Sequence, residues 1–202
     1  MVNRELLEKL SKEGKLYQNP KPKEWLAKDY CAGKIANYYP QVMTDGEGIR
    51  ASVYVAGCKF QCFECFNRKI WDFEAGFDYT QEFEDQVIED LRPSYVQGIT
   101  FLGGEPFLNT PTLIPLAKRI RFEYGTDKDI WSWSGYIFEE LLEESDDKLE
   151  LLSYVDILVD GRFNVALKDS SLQFRGSSNQ RIIDVPKSLK EGRVILWKNL
   201  RK

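Results

Sequence analysis

Residues 49–67, IRASVYVAGCKFQCFECFN, contain the pattern from which the rest of the fold can be worked out. The apolar, β-branched run at 49–57 ends in glycine and predicts a strand. Cys58, Cys62 and Cys65 follow it with C-x3-C-x2-C spacing, so three of the chain's four cysteines lie within eight residues. We therefore expect a site built from thiols on the loop that leaves this strand.

Strand and helix patterns alternate after this loop. Strand patterns occur in GITFLGGEP (98–106), DIWSWSG (129–135) and VDILVDG (155–161), and helical patterns in TQEFEDQVIEDL (80–91), NTPTLIPLAKRIRFEYG (109–125) and YIFEELLEES (136–145). Thr80 and Thr110 are the predicted N-caps of the first two helices, and Gly125 is the predicted stop of the second.

The order β-α-β-α-β-α-β predicts an α/β fold with a mostly parallel sheet and right-handed crossovers. Ligand sites in such sheets lie beyond the carboxyl ends of the strands. The cysteine loop, GGEP, WSWSGY and VDGRF are therefore expected to converge on one rim. A complete eight-unit barrel takes about 250 residues, and this chain has 202. We predict a partial (β/α) barrel or an open, curved, mostly parallel sheet.

The two ends of the chain differ from its middle. Residues 1–40 are charged and punctuated by prolines, and they predict an N-terminal extension with a helix from Arg4 to Lys12 followed by an irregular segment. Residues 41–186 form the predicted core. Residues 187–202 form a basic tail that either covers a sheet edge or helps to hold an acidic partner.

Composition narrows the classes of function. A net charge of -4 argues against nucleic-acid binding, which requires a basic face. No apolar run approaches the roughly 20 residues that cross a bilayer, so we expect a cytoplasmic protein that binds no membrane. The chain has no histidine, which excludes Ser-His-Asp triads, Cys-His pairs and histidine metal ligands.

Three interpretations of the clustered cysteines remain open. They are packed thiols, a structural zinc site with Cys31 as the fourth ligand, or the three protein ligands of a 4Fe-4S cluster. Zinc normally takes four protein ligands in structural sites, whereas an open metal position is typical of catalytic sites. In the third interpretation Cys31 is a packed thiol outside the site.

The glycine turn at Gly103 and Gly104 also has two interpretations. Paired glycines permit a tight turn between a strand and a helix. They also leave room for backbone carbonyls to reach a ligand, and Glu105 beside them offers a carboxylate to an ammonium group.

The C-x3-C-x2-C loop together with GGEP resembles the radical S-adenosylmethionine superfamily. That resemblance implies a 4Fe-4S cluster on Cys58, Cys62 and Cys65, whose open iron is chelated by S-adenosylmethionine. It also implies that Gly103, Gly104 and Glu105 bind the amino group of that cofactor. Contacts to adenine are expected from the backbone of Glu64, Cys65 and Phe66, and no further catalytic residue is expected.

Longer stretches resemble one family within this superfamily. They are NYYPQVMTDGEGIRASVYVAGC (37–58), CFNRKIWDF (65–73), DIWSWSGYIFEEL (129–141), VDILVDGRF (155–163) and FRGSSNQRIIDV (174–185). They are similar to the anaerobic ribonucleoside-triphosphate reductase activating proteins. The resemblance implies cleavage of S-adenosylmethionine and hydrogen abstraction from a glycine of the reductase large subunit, with a flavodoxin-like protein as electron donor.

Alternatives in function stay open at this point. The chain could activate another glycyl-radical enzyme of the pyruvate formate-lyase type, act on a small molecule as deazaguanine synthases do, or be a non-enzymatic zinc or electron-transfer module. Among other residues, Arg50 is predicted to be either solvated or part of the site wall, and Trp131 and Trp133 to pack in the core or at the rim. FRGSSNQR is predicted to be a hairpin or a docking surface, and the acidic run 139–147 a solvated helix face.

Overall fold

The computed structural model describes residue 9 and residues 18–198 as a seven-stranded sheet flanked by helices. The strands are β1 (Lys34–Val42), β2 (Ile49–Val55), β3 (Phe77–Asp78), β4 (Val96–Gly103), β5 (Asp129–Trp133), β6 (Ile157–Asp160) and β7 (Arg181–Asp184). The α-helices are α1 (Gln81–Leu91), α2 (Thr110–Tyr124), α3 (Phe138–Leu141), α4 (Asp146–Tyr154) and α5 (Val185–Glu191).

The sheet has the strand order β3-β1-β2-β4-β5-β6-β7. The four strands from β2 to β6 in the middle of this order are parallel, whereas β1, β3 and β7 pair antiparallel with their neighbours. Strands β3 and β7 are the two edges, so the sheet is open among the described residues. The α/β class is confirmed, as an open mixed sheet with a parallel centre.

Burial of apolar side chains explains why the central strands form as they do. Strand β4 is buried along five consecutive residues from Gly98 to Leu102, as expected for a strand covered on both faces. Helix α1 buries Val87, Ile88 and Leu91, and the Thr80 hydroxyl accepts a hydrogen bond from Phe83 N at 3.2 Å. The predicted N-cap of α1 is therefore confirmed.

Helix α2 begins one residue before the predicted position. Asn109, not Thr110, occupies the N-cap position, and Thr110 is the first helical residue. The helix ends at Gly125, where φ is +58°, a conformation that glycine adopts without steric strain. The predicted stop is confirmed.

Strand β1 corrects the prediction of an irregular segment up to residue 40. Its pairing with β2 shifts register between Tyr39 and Val42, and Pro40 lies within that irregularity. Proline has no N–H for the ladder, so an interruption is where a strand tolerates it. The sheet thus begins at Lys34, before the predicted start of the core. The predicted helix from Arg4 to Lys12 lies outside the described residues apart from Lys9.

The helix predicted at 136–145 is wrong in extent. Only α3, four residues long, lies within it, and α4 begins after Ser145. The acidic run is also not a uniformly solvated face. Glu144 is 2% exposed and accepts a hydrogen bond from Lys148 Nζ at 2.8 Å, and Asp147 accepts one from the Thr110 hydroxyl.

The C-terminal tail lies along the outer edge of β7. Asp184 N donates to Ile195 O and Trp197 N donates to Ile182 O, both at 2.9 Å. Of the two interpretations of the tail, coverage of a sheet edge is confirmed. No helix in the described part of the chain has the length and apolarity that a bilayer crossing needs.

Candidate active site

Four loops from the carboxyl ends of the parallel strands surround one cavity of ≈ 420 Å³. Its lining includes Cys58, Cys62 and Cys65 after β2, Gly103 at the end of β4 with Gly104 and Glu105 after it, Ser134 and Gly135 after β5, and Gly161 and Arg162 after β6. The predicted convergence of the four loops is confirmed. Glu64 and Phe66 also line this cavity, so every residue predicted for the site lies around it.

The cysteine loop is held in shape by its own backbone. Cys58 N donates to Trp71 O at 3.0 Å, and Cys65 N donates to Cys62 O at 3.0 Å. Gln61 and Glu64 adopt φ values of +45° and +55°, which non-glycine residues rarely do. Two left-handed positions between the cysteines turn the loop sharply, so that all three cysteines lie on one cavity.

The three thiols suit a multinuclear cluster. All are free, Cys62 is buried, and Cys58 and Cys65 are half-buried. Among the described residues, no three Cys, Asp or Glu side chains form a group that would hold a single metal ion. In a 4Fe-4S cluster each thiolate binds a different iron, so the ligands need not converge on one point. The donor set of three thiols therefore fits such a cluster, whereas a structural zinc site takes four protein ligands.

Cys31 does not lie with the other cysteines. Its Sγ is 3.3 Å from Thr112 Oγ1 on α2, and it does not contribute to the lining of the cavity. The arrangement is that of a packed thiol and offers no support for a fourth ligand to zinc.

The glycine turn packs directly against the cysteine loop. Glu105 N donates to Gly57 O at 2.8 Å, and Gly104 N donates to Val55 O at 2.8 Å. A Cβ on Gly104 would lie 2.2 Å from Gly57 O. Gly103 has φ +103°, and its carbonyl accepts a hydrogen bond from Asn67 Nδ2 at 3.2 Å. Tight packing is therefore one reason for these glycines.

Glu105 is a buried carboxylate on the cavity wall. It is 1% exposed and accepts hydrogen bonds from Ser134 Oγ and Gly135 N, each at 2.8 Å, and from Phe107 N at 3.1 Å. Burial raises the pKa of Glu105 to about 7, although these hydrogen bonds and the charge of Lys148 act in the opposite direction. The site thus holds a carboxyl group that a bound cation would help to ionise.

Glu64 and Phe66 lie at the mouth of the cavity. The Glu64 residue is exposed, and Phe66 is 102% exposed, so neither side chain is packed in the interior. A role for their backbone in contacting a ligand, as expected from the resemblance, remains a prediction.

Several residues around the cavity were missed from the sequence. Trp71 and Asn67 line it, and so do Arg162 and Arg175. Asn67 and Trp71 belong to the stretch CFNRKIWDF that follows the cysteines, which was the signal available for them. The segment FRGSSNQR contributes Arg175, Gly176 and Gln180 to the wall, and an antiparallel bridge joins Lys168 to Ser177, in keeping with a hairpin.

Arg50 has neither of its predicted roles. It is 0% exposed and donates to Thr100 Oγ1 at 2.7 Å and to Asp129 Oδ1 at 2.5 Å. It lies near the start of β2, at the end of the sheet away from the cysteines. The buried guanidinium therefore ties together three strands. Trp131 is buried as predicted, and Trp133 lies at the rim.

Comparison with known proteins agrees with this site. The family model of the 4Fe-4S single cluster domain matches residues 44–183, so fold and site together define a 4Fe-4S single cluster domain protein. Anaerobic ribonucleoside-triphosphate reductase-activating proteins are similar over 149 residues, or 72% of this chain. The identity is 40% for Pasteurella multocida, 42% for Haemophilus influenzae and 40% for Vibrio cholerae, covering 93%, 94% and 94% of those proteins. The chain belongs to the family of anaerobic ribonucleoside-triphosphate reductase-activating proteins.

Proposed function

We propose that this chain activates an anaerobic ribonucleoside-triphosphate reductase by abstracting hydrogen from a glycine of its large subunit, which leaves a glycyl radical. Family membership supports this proposal. The observation that carries it is the meeting of three free thiols and one buried carboxylate around a single cavity.

Cys58, Cys62 and Cys65 would hold a 4Fe-4S cluster in this cavity, with one iron left without a protein ligand. When bound, the reduced cluster supplies the electron that cleaves S-adenosylmethionine. The open sheet with its parallel centre would then be a partial barrel of the radical S-adenosylmethionine type. A flavodoxin-like protein is the proposed electron donor.

The chain's own residues would bind and orient S-adenosylmethionine. The Glu105 carboxylate would accept hydrogen bonds from the ammonium group of the methionine part of S-adenosylmethionine, because it is a buried carboxylate on the cavity wall whose pKa is raised by burial. Gly103 and Gly104 would let the ligand approach the backbone closely, and the backbone of Glu64, Cys65 and Phe66 would contact the adenine. Ser134 and Gly135 hold the Glu105 carboxylate in place.

Reaction of a radical requires that the target atom be held close and that water be excluded. The aromatic rings of Phe60 and Trp133 line the cavity and give part of its wall an apolar surface that water does not hydrogen-bond to. The exposed Phe66 at the mouth offers an apolar contact to an incoming loop of the large subunit. No proton transfer by histidine is needed for hydrogen-atom abstraction, which agrees with the absence of this residue type.

The test is anaerobic reconstitution with iron and sulfide, followed by reduction with dithionite and addition of S-adenosylmethionine. We expect about four irons per chain, release of 5'-deoxyadenosine, and a doublet glycyl signal in electron paramagnetic resonance when the reductase large subunit is present. Three outcomes would contradict this proposal. They are a glycyl signal only in an enzyme of the pyruvate formate-lyase type, turnover of a small molecule alone, and one bound zinc without iron.

Four alanine variants locate the ligands. Replacing Cys58, Cys62 or Cys65 should abolish release of 5'-deoxyadenosine. Cys31→Ala is the matched control, since this thiol contacts Thr112 instead of the cavity, and should retain activity. Inactivity of Cys31→Ala, in a folded protein, would contradict the proposed ligand set.

A further inference from the structure

Trp71 carries a buried hydrogen-bond donor that has no acceptor in the described part of the chain. Its Nε1 is shielded from solvent and has no hydrogen-bond partner among the described residues. Buried N–H groups in folded proteins are nearly always paired, and an unpaired one is destabilising. By contrast, Trp197 Nε1 donates to Glu47 Oε2 at 3.1 Å. The unpaired indole indicates that a ligand completes the bond at Trp71.

The position of Trp71 narrows the choice of ligand. Its backbone oxygen accepts from Cys58 N at 3.0 Å, and the oxygen of the preceding Ile70 accepts from Gly57 N at 2.8 Å. This short ladder places Trp71 beside the first cysteine, and its side chain lines the same cavity as all three thiols. The Arg68 guanidinium lies 5.3 Å from the centre of the indole ring and covers it. The residue that carries the unpaired donor thus lines the cysteine site.

Sulfur is an acceptor that this wall already uses. Asn67 N lies 3.4 Å from Cys65 Sγ and donates to it. Hydrogen bonds to the sulfurs of an iron-sulfur cluster withdraw electron density and so stabilise the reduced form, which carries the additional negative charge.

We propose that Trp71 Nε1–H donates a hydrogen bond to a sulfur of the cysteine-held cluster and raises its reduction potential. The proposal rests on the cluster site of the proposed function and adds a residue that sets how readily the cluster accepts its electron. Because the indole acts on the sulfurs, its effect does not depend on S-adenosylmethionine.

The first test is a redox titration of the reconstituted protein without S-adenosylmethionine. The electron paramagnetic resonance signal of the reduced cluster is the readout. Trp71→Phe keeps an aromatic ring and removes the donor, so we expect a lower potential. At a fixed solution potential, the ratio of reduced to oxidised cluster should fall about three- to tenfold. A tenfold change corresponds to a shift of about 59 mV in the reduction potential for one electron. Trp197→Phe is the matched control and should leave the titration unchanged, because that indole is already bonded to Glu47.

The second test starts from the protein with Trp71 intact. Wild-type protein labelled with 15N in its indole rings should show nitrogen coupling to the reduced cluster in electron-nuclear double resonance. The coupling should persist in Trp133→Phe, which also removes an indole from the cavity wall, and vanish in Trp71→Phe. Absence of the coupling, an unchanged potential, or a shift that appears only with S-adenosylmethionine would overturn the proposal. Failure to assemble any 4Fe-4S cluster would instead overturn the proposed function and this inference with it.

Discussion

Gly104 shows how strongly a single residue constrains the site. A Cβ at this position would lie 2.2 Å from Gly57 O and 2.9 Å from Val55 O, which are backbone atoms that cannot rotate away. Gly104→Ala should therefore push the glycine turn away from the cysteine loop. We expect a loss of about 1–3 kcal/mol in the free energy of unfolding, measured by urea denaturation, and a lower iron content after reconstitution.

Gly125→Ala is the control for this substitution. Gly125, unlike Gly104, has a positive φ of +58°, and no atom lies within 4 Å of its added Cβ. It should lose roughly 1 kcal/mol from backbone strain and retain its iron. Equal iron content in the two alanine variants would show that contact between the two loops does not shape the cysteine site.

The raised pKa of Glu105 predicts that the stability of the cofactor-free protein depends on pH. The pKa of Glu105 is about 7 in the folded chain and 4.5 is its ordinary value, so the folded state binds the proton more tightly. As pH rises from about 4.5 to 7 the unfolded chain loses the proton first, and the contribution of Glu105 to stability falls, by at most roughly 3 kcal/mol. Above pH 7 both states are ionised and the contribution is constant.

The measurement compares wild type with Glu105→Gln by urea unfolding at several pH values. The variant also alters the hydrogen bonds from Ser134 and Gly135, which shifts the free energy of unfolding by the same amount at every pH. The quantity to compare is therefore the slope of the free energy of unfolding against pH. Cys58 and Tyr136 also face this carboxyl, but burial raises their pKa values far above 7 and they do not titrate in this range. Parallel pH profiles for the two proteins would contradict the raised pKa.

At the scale of elements, α4 joins the N-terminal segment to the sheet core through a buried charge pair. Lys148 is 0% exposed, and its Nζ donates to Glu144 Oε2 at 2.8 Å, Tyr136 OH at 3.1 Å and Trp25 O at 2.6 Å. Lys148→Met would leave Glu144 buried without its cation. We expect a loss of about 3–5 kcal/mol in the free energy of unfolding.

The segment before β1 should also loosen in Lys148→Met, because the hydrogen bond from Lys148 Nζ to Trp25 O is lost. Trp25 links this segment to the cysteine loop, since it packs edge-on against Phe60 at 5.2 Å between ring centres. Limited proteolysis should therefore cleave the variant faster than wild type at residues 18–31. Lys118→Met removes a cation from the exposed pair with Glu150 and should change neither measurement. If Lys148→Met proves as stable as Lys118→Met, the buried pair does not anchor this segment.

The elements that could be predicted from sequence are those in which most residues are apolar, β-branched or aromatic. Strands β2, β4, β5 and β6 have this composition, and α1 has apolar residues on one face together with its capping threonine. Strand β1 was missed because Pro40 and its exposed polar residues resemble a loop, although a register shift accommodates the proline. Helix α4 was missed because one of its buried residues is Lys148, which breaks the apolar pattern.

At the scale of the whole molecule, the site was predictable as far as it depends on strand ends. The topology of a parallel sheet brings the loops after β2, β4, β5 and β6 to one edge, so the cysteines and the glycine turn could be placed together from the sequence. Trp71 could not be assigned, since its position depends on the chain folding back along Gly57 and Cys58. Arg50 was misinterpreted because a charge in the sequence gives no sign that Asp129, 79 positions away, will neutralise it in the interior.

The last prediction concerns the edge of the whole sheet. Residues 195–197 satisfy the outer hydrogen-bonding groups of β7, and Trp197 packs on the apolar cluster that contains Trp131 and Ile182. A chain truncated after Gly192 would expose an unpaired edge strand and an apolar patch, which together promote pairing between chains. We expect this variant to form dimers or larger species in size-exclusion chromatography with light scattering. Truncation after Lys198 keeps these contacts and should elute as the full chain does, whereas a monomeric and equally stable 1–192 chain would show that the tail does not protect the edge.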